Sequence, residues 1–124
     1  MTRLFIFIET NWVVFTLSTL AVITVLSLWP LDGLPSVPGT DKVHHLVAYA
    51  FLMVPAALRK PKKRLLIGLF FVAYSGAIEL LQPYVNRYGE WLDMAANVAG
   101  VLSGFLIAEL VKFFFPVMSH RFRY

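Results

Sequence analysis

The chain has 124 residues, of which 59% are hydrophobic and only 15% are charged. Soluble domains carry about 25% charged residues, so a chain with a mean hydropathy of +0.72 has too little polar surface to cover a globule in water. This composition excludes an ordinary cytosolic enzyme and a disordered chain, and the lack of cysteine excludes a secreted disulfide scaffold. The composition predicts a membrane protein.

Four apolar segments are long enough to cross a bilayer as helices, for which about 20 residues are needed. They do not alternate and they exceed strand length, which excludes strands. The first segment lacks a cleavage site before Pro30, so we expect an uncleaved signal anchor. The sequence therefore predicts an all-α, four-transmembrane-helix bundle that forms a single domain over residues 1–124. The predicted helices span about residues 10–29, 42–58, 65–82 and 93–115.

The basic residues predict the orientation of this bundle. If the amino terminus is cytoplasmic, nearly all lysines and arginines fall on the cytoplasmic side, and only Lys42 and Arg87 fall outside. Both termini are therefore expected in the cytoplasm of a multi-pass protein of the inner (plasma) membrane. The net charge of +4 then reports topology, and the basic segment 59–64 is expected to contact membrane lipids rather than nucleic acid.

Polar side chains of three predicted helices fall at one depth, near the outer face. Four of them lie in the outermost turns of the second helix, within about 100° of one another on the helical wheel. Ionisable groups inside a membrane are costly and mark a functional site by default. We expect an inward-facing pocket large enough for a polar headgroup. The candidate ligand-binding residues are Asp41, Lys42, His45, Tyr49, Glu79, Gln82, Arg87, Asp93 and Asn97.

Small residues recur at every fourth position of the last predicted helix. They are Ala96, Gly100, Gly104 and Ala108. Small residues at this spacing let two helices approach closely. Packing inside the bundle is the favoured interpretation, and a homo-oligomer formed through this helix is the alternative. Deeper in the same helix, Glu109 is expected to pair with Lys112 near the inner interface.

The polar positions carry a resemblance to a known family. They lie in two segments between Asp41 and Gly104, which read DKVHHLVAYAFL and GAIELLQPYVNRYGEWLDMAANVAGVLSG. These segments resemble the VanZ-like family of small bacterial membrane proteins. The resemblance implies a helical membrane module of the cell envelope. It implies a link to resistance against the glycopeptide antibiotic teicoplanin at the family level only, and it implies no particular chemistry.

Two functional hypotheses and one structural hypothesis account for the polar residues. In the favoured hypothesis they bind or handle a lipid, or the headgroup of a lipid-linked envelope intermediate, with Lys42, His45 and Arg87 donating to phosphate. In the structural hypothesis Asp41 and Asp93 cap helices, and the amides join the helices by hydrogen bonds.

The enzyme hypothesis assigns acid–base roles to the same residues. His45 would serve as general base, Asp41 would orient it, and Glu79 would be the acid in a reaction at a lipid phosphate. No nucleophile motif accompanies these candidate catalytic residues, so whether the protein is an enzyme stays open.

A metal or other cofactor is not predicted. His44 and His45 are adjacent and diverge by about 100° on a helix, and no H-x-x-x-H spacing is present. A metal site formed by His45, Glu79 and Asp93 from three helices is the one alternative that the spacing leaves open.

Overall fold

A computed structural model describes residues 2–29, 41–59, 62–85 and 91–115 of the chain. These residues form five α-helices and a short 3-10 helix, with no strand among them. The helices are α1 (Thr2–Thr10), α2 (Trp12–Leu28), α3 (Asp41–Arg59), α4 (Arg64–Leu81) and α5 (Trp91–Phe114), and the 3-10 helix Gln82–Val85 follows α4 directly. The all-helical fold is therefore confirmed, and the bounds of α3, α4 and α5 agree closely with those predicted.

The first predicted helix, 10–29, corresponds to α2, and the helix that precedes it was not predicted. The structure has a separate helix α1 before α2, and the two are bent by 74° at Asn11. Asn11 leaves the helical region, with φ −105° and ψ 30°. Its side-chain amide donates to the Phe7 carbonyl oxygen at 2.9 Å. An asparagine side chain that bonds the preceding turn competes with the helical backbone, which explains the break.

The helix α3 lies at the centre of the bundle and packs against α1, α2, α4 and α5. Its middle and last turns are the best-buried part of the chain, with Leu52, Met53, Ala56 and Ala57 fully buried. The other helices turn apolar side chains outward, such as Leu66 and Phe70 of α4 and Leu106 and Phe113 of α5. Exposed apolar faces of this extent suit contact with lipid rather than water.

Two described helices, Arg64–Tyr84 and Leu92–Phe114, are long and apolar enough to cross a membrane, and the bent pair α1–α2 gives a third span if it counts as one. The structure is thus that of a membrane protein with two to three candidate spans among the described residues. The helix α3 carries Lys42, Arg59 and two histidines, and it is not apolar enough to count as a candidate span. The four-span bundle and the placement of both termini therefore stay predictions.

The helices α3 and α5 run parallel and in close contact along their length. A Cβ atom at Gly100 would lie 2.5 Å from the Leu46 carbonyl oxygen, and one at Gly104 would lie 2.6 Å from Met53 Cβ. The backbones therefore touch where the sequence places small residues. Ala108 of the same series is fully buried, and Ala96 is half-buried. This face of α5 packs within the chain, and oligomerisation through α5 stays a prediction.

The helix α4 runs antiparallel to α5, since Gly68 faces Phe105 while Ser75 faces Met94. One end of the bundle therefore holds the first turns of α3 and α5 and the last turn of α4, and we call it the polar end. The opposite end holds the last turns of α3 and α5 and the first turn of α4, and we call it the basic end. The parallel pair places two helix amino termini side by side at the polar end.

Candidate functional site: a polar cluster at one end of the bundle

The polar residues predicted from the sequence meet at the polar end. Lys42 in the first turn of α3 reaches Asp93 in the first turn of α5, with Nζ 2.8 Å from Oδ1. The Asp93 side chain is only 5% exposed, whereas that of Lys42 is 38% exposed. The pair therefore joins a buried carboxylate to a partly exposed ammonium. We call the exposed edge of the polar end, where Lys42 lies, the rim.

His45 lies one turn deeper than Lys42 and is held by α5. Its Nδ1 atom lies 2.9 Å from Oδ1 of the buried Asn97 side chain, and its Nε2 atom lies 3.9 Å from Asp93 Oδ2. A ring N–H at Nδ1 donating to the amide oxygen leaves Nε2 as the basic nitrogen on the side of the carboxylate. Asn97, which the sequence analysis assigned to ligand binding, therefore orients the histidine.

Tyr49 and α4 form the deeper wall of the cluster. Tyr49 is buried, and its phenol lies close to Ser75 and Glu79 of α4. Gln82 is also buried, and its amide nitrogen donates to the Ser27 carbonyl oxygen at the end of α2 at 3.1 Å. We refer to the whole cluster as the polar site. It consists of Lys42, His45, Tyr49, Ser75, Glu79, Gln82, Asp93 and Asn97.

Side chains of the polar site that can hold a metal ion come within reach of one another. His45, Glu79 and Asp93 each offer one ligand atom, and these three atoms lie within 4.8 Å of one another. They come from α3, α4 and α5.

Some predicted site residues lie outside what the structure describes. Arg87 is one of them, and of Asp41 only the backbone at the start of α3 is described. The proposed contact of Asp41 with His45 therefore stays a prediction. Ser75, in contrast, belongs to the polar site although the sequence analysis did not select it as a ligand. Its position four residues before Glu79, on the same helix face, was the signal that identifies it.

A second charged cluster lies at the basic end. Glu109 forms ion pairs with Arg64 and with Lys112, the latter at 3.7 Å. The Glu109–Lys112 pair agrees with the prediction, whereas the contact with Arg64 was not predicted. Glu9, which has 0% exposure, lies close enough to Lys112 to interact with it electrostatically. The bend at Asn11 brings α1 back over this end, so the position of Glu9 was not predictable from helical spacing.

An apolar cavity of about 430 Å³ runs along α3 beside the polar site. One wall of the cavity is formed by residues of α3 at helical spacing. The other walls include Phe15 of α2 and Ser103 and Ile107 of α5. The α3 residues are Leu46, Val47, Ala50, Phe51, Val54 and Pro55. Lys42 precedes Leu46 by four residues and so stands at the polar end of the same face. We call this face of α3 the Lys42 stripe.

Comparison with protein families decides the identity of the chain at the family level. A family model described as VanZ/LLP1 matches residues 2–112. The chain belongs to the VanZ-like family. Searches of curated proteins and of solved structures gave no match.

The match to the VanZ-like family is longer than the resemblance found in the sequence. It takes in α1 and α2 as well as α3, α4 and nearly all of α5. The polar site, the Lys42 stripe and the acidic and basic residues of the basic end all fall within it. The helices of this VanZ-like chain thus combine a rim lysine, a partly buried cluster of acidic and imidazole side chains, and an apolar cavity.

Proposed function

We propose that this VanZ-like protein binds an anionic lipid, or the lipid-linked form of a cell-envelope intermediate, with the phosphate at Lys42 and the hydrocarbon chain along the Lys42 stripe. The position of Lys42 carries the proposal. It is the charged residue at the end of an otherwise apolar helix face that lines a cavity. A lipid presents the same two parts, an anionic head and an apolar chain, in the same order.

The electrostatics of the polar end favour an anion there. The helices α3 and α5 both begin at this end, and helix amino termini attract negative charge. Lys42 adds a full positive charge that remains partly exposed while it pairs with Asp93. The sequence also carries Arg87 between α4 and α5, outside the described residues, and arginine has the two-pronged geometry that suits phosphate.

The length of the Lys42 stripe supports the proposed position of the hydrocarbon chain. From Leu46 to Pro55 the stripe covers nine helical steps, or about 13 Å at a rise of about 1.5 Å per residue. If the polar end is the outer one, as predicted, the stripe extends from the level of Lys42 inward through the hydrocarbon region of the outer half of the membrane. A lipid bound there would lay its chain along the exposed side chains of the stripe, such as Val47 and Phe51, and keep its head at the membrane interface.

Native mass spectrometry of the purified full-length protein tests the proposal. We expect the wild type to retain one phospholipid with a preference for phosphatidylglycerol over phosphatidylcholine, and Lys42→Ala to lose that preference. Lys62→Ala is the matched control, because Lys62 is an exposed lysine at the basic end. Equal retention of both lipids by the wild type, or equal losses in the two lysine variants, would contradict the proposal.

A second pair of variants tests the cavity. Ser103 lines it, so Ser103→Phe should fill part of the space and lower lipid retention several-fold. Leu102 is the neighbouring residue, is exposed and does not line the cavity, so Leu102→Phe should retain lipid as the wild type does. Unchanged retention in Ser103→Phe would place the chain elsewhere and remove this half of the proposal.

A further inference from the structure

We propose that His45, Glu79 and Asp93 bind a divalent transition-metal ion, of which zinc is the probe ion, at the buried side of the polar site. The proposal goes beyond lipid binding. The metal proposal is also independent of the lipid proposal, because metal content and lipid retention are measured separately.

The distances between the three side chains are close to those that a single ion requires. In zinc sites the metal–nitrogen distance is about 2.0–2.1 Å and the metal–carboxylate distance is about 2.0–2.2 Å, so two ligand atoms at a tetrahedral angle lie about 3.4 Å apart. His45 Nε2 and Asp93 Oδ2 are 3.9 Å apart, which is too long for a hydrogen bond between them. The ligand atoms of His45, Glu79 and Asp93 all lie within 4.8 Å of one another, so side-chain rotations that move these atoms by about 1 Å bring them to the distances of one ion.

Neighbouring side chains support two of the three proposed ligands. A histidine that ligates a metal usually donates its other ring N–H to an oxygen, which fixes both the tautomer and the ring plane. Asn97 Oδ1 at 2.9 Å from His45 Nδ1 supplies that oxygen. Lys42 holds the other carboxylate oxygen of Asp93, Oδ1, at 2.8 Å. These contacts use Nδ1 of His45 and Oδ1 of Asp93, so the other atom of each side chain, Nε2 and Oδ2, can ligate the ion.

A divalent ion also suits the charges of the three side chains. The polar site places the carboxylates of Glu79 and Asp93 close together, with Asp93 buried and Glu79 half-buried. Two carboxylates in one low-dielectric site repel each other, and a divalent ion between them offsets that repulsion. The ion would also add positive charge near the rim, where the anion is proposed to bind.

The donor set indicates the kind of ion. One imidazole and two carboxylates suit zinc and other divalent first-row metals rather than copper(I), which prefers sulfur. Three protein ligands leave a tetrahedral ion with an open position, the arrangement found in zinc sites that bind a water or a substrate atom. The chemical class of ligand for that position is a phosphate or carboxylate oxygen.

Metal content of the purified full-length protein tests the proposal. The protein is treated with EDTA and reconstituted with ZnCl₂ in neutral detergent. We then expect about one zinc ion per chain by inductively coupled plasma mass spectrometry. Variants His45→Gln, Glu79→Gln and Asp93→Asn should each lower the affinity for zinc at least tenfold, in line with the loss of a ligand. His44→Gln and Glu109→Gln are the matched controls, because both residues are exposed and lie outside the triad.

X-ray absorption of the reconstituted wild type keeps the test decisive if a variant does not fold. We expect a first shell of nitrogen and oxygen with a single imidazole. Zinc content below about a tenth per chain, equal losses in the His44→Gln control, or a shell with two or more imidazoles would overturn the proposal.

Lys42→Met separates the metal from the lipid. It removes the cation beside Asp93, so zinc binding should be retained or become tighter, while the preference for anionic lipid should be lost. If Lys42→Met keeps that lipid preference and still binds zinc, the lipid proposal fails and the metal proposal stands. If neither the wild type nor Lys42→Met binds zinc, the metal proposal fails regardless of the lipid result.

Discussion

The Lys42 ammonium lies 2.8 Å from Asp93 Oδ1 and joins the first turns of α3 and α5. Because Asp93 is the buried partner, removing the lysine leaves a carboxylate without its ion pair in a site where charge is costly. In protein kept free of metal with EDTA, Lys42→Met should therefore lower the free energy of unfolding by about 1–3 kcal/mol.

A double-mutant cycle measures that pair directly. Asp93→Asn should cost less in the Lys42→Met background than in the wild type, with a coupling energy of about 1 kcal/mol or more for residues in contact. Unfolding in mixed micelles monitored by circular dichroism gives the four values. Additive effects of the two changes would show that the ion pair contributes nothing to the stability of the bundle.

The close approach of α3 and α5 leads to a second prediction. A Cβ at Gly100 would lie 2.5 Å from the Leu46 carbonyl oxygen, which is backbone and cannot rotate away. Gly100→Ala should therefore force the two helices apart and destabilise the protein by about 1–3 kcal/mol. Gly76→Ala is the matched control, since the nearest atom to its Cβ would be Met94 Cε at 3.5 Å, an ordinary contact.

The control variant is expected to be neutral or slightly stabilising, because alanine has the higher helix propensity. Thermal unfolding of both variants by the same method decides between them. An unfolding temperature for Gly100→Ala equal to that of Gly76→Ala would mean that α3 and α5 do not touch at this position.

The basic end supplies a third prediction. Lys112 Nζ donates to the Ala57 carbonyl oxygen in the last turn of α3 at 3.2 Å, and its side chain is 12% exposed. Lys112→Met should leave that carbonyl without its donor and cost about 1–3 kcal/mol. Glu109→Gln removes an exposed ion-pair partner and should cost less than about 1 kcal/mol. Chemical unfolding that ranks the two variants in the reverse order would contradict this account of the basic end.

The orientation of the bundle can be tested without background labelling, because the sequence contains no cysteine. Lys62 lies at the basic end and Tyr84 at the polar end, and both are exposed. If the basic end is cytoplasmic, a membrane-impermeant maleimide should label Tyr84→Cys in intact spheroplasts and should label Lys62→Cys only after lysis. Labelling of Lys62→Cys in intact spheroplasts would reverse the predicted topology.

The sequence predicted the helices well where apolar segments end at charges or proline. The bounds of α3 and the start of α4 follow from such signals at Asp41, Arg59 and Arg64. It did not predict the break at Asn11, because an asparagine in an apolar segment is compatible with a continuous helix until its side chain is seen to bond Phe7. The position of Glu9 follows from that break and could not be predicted either.

For the polar site, helical spacing indicated which residues share a face, and the depth of each helix indicated that the faces meet. Neither signal reveals which atoms pair. That Asn97 orients His45, and that Lys42 bonds Asp93, depends on the register between α3 and α5, which the contacts at Gly100 and Gly104 set. The apolar cavity, which Ile8 of α1 and Phe15 of α2 help to line, was not predicted either.

The central claim is that the polar end binds an anionic lipid and does not merely hold the helices together. The double variant Lys42→Met/Asp93→Leu separates these roles, because replacing a buried ion pair by apolar residues of similar size is often neutral or stabilising. Lys62→Met serves as the matched control for loss of a lysine.

The decisive measurement is the shift in unfolding temperature when metal-free protein in neutral detergent receives phosphatidylglycerol instead of phosphatidylcholine. A ligand present at about 100 times its Kd stabilises a protein by about 2.7 kcal/mol. We therefore predict a shift of several degrees for the wild type and for Lys62→Met, and none for the double variant. An equal shift in all three proteins, or no shift in the wild type, would contradict the account.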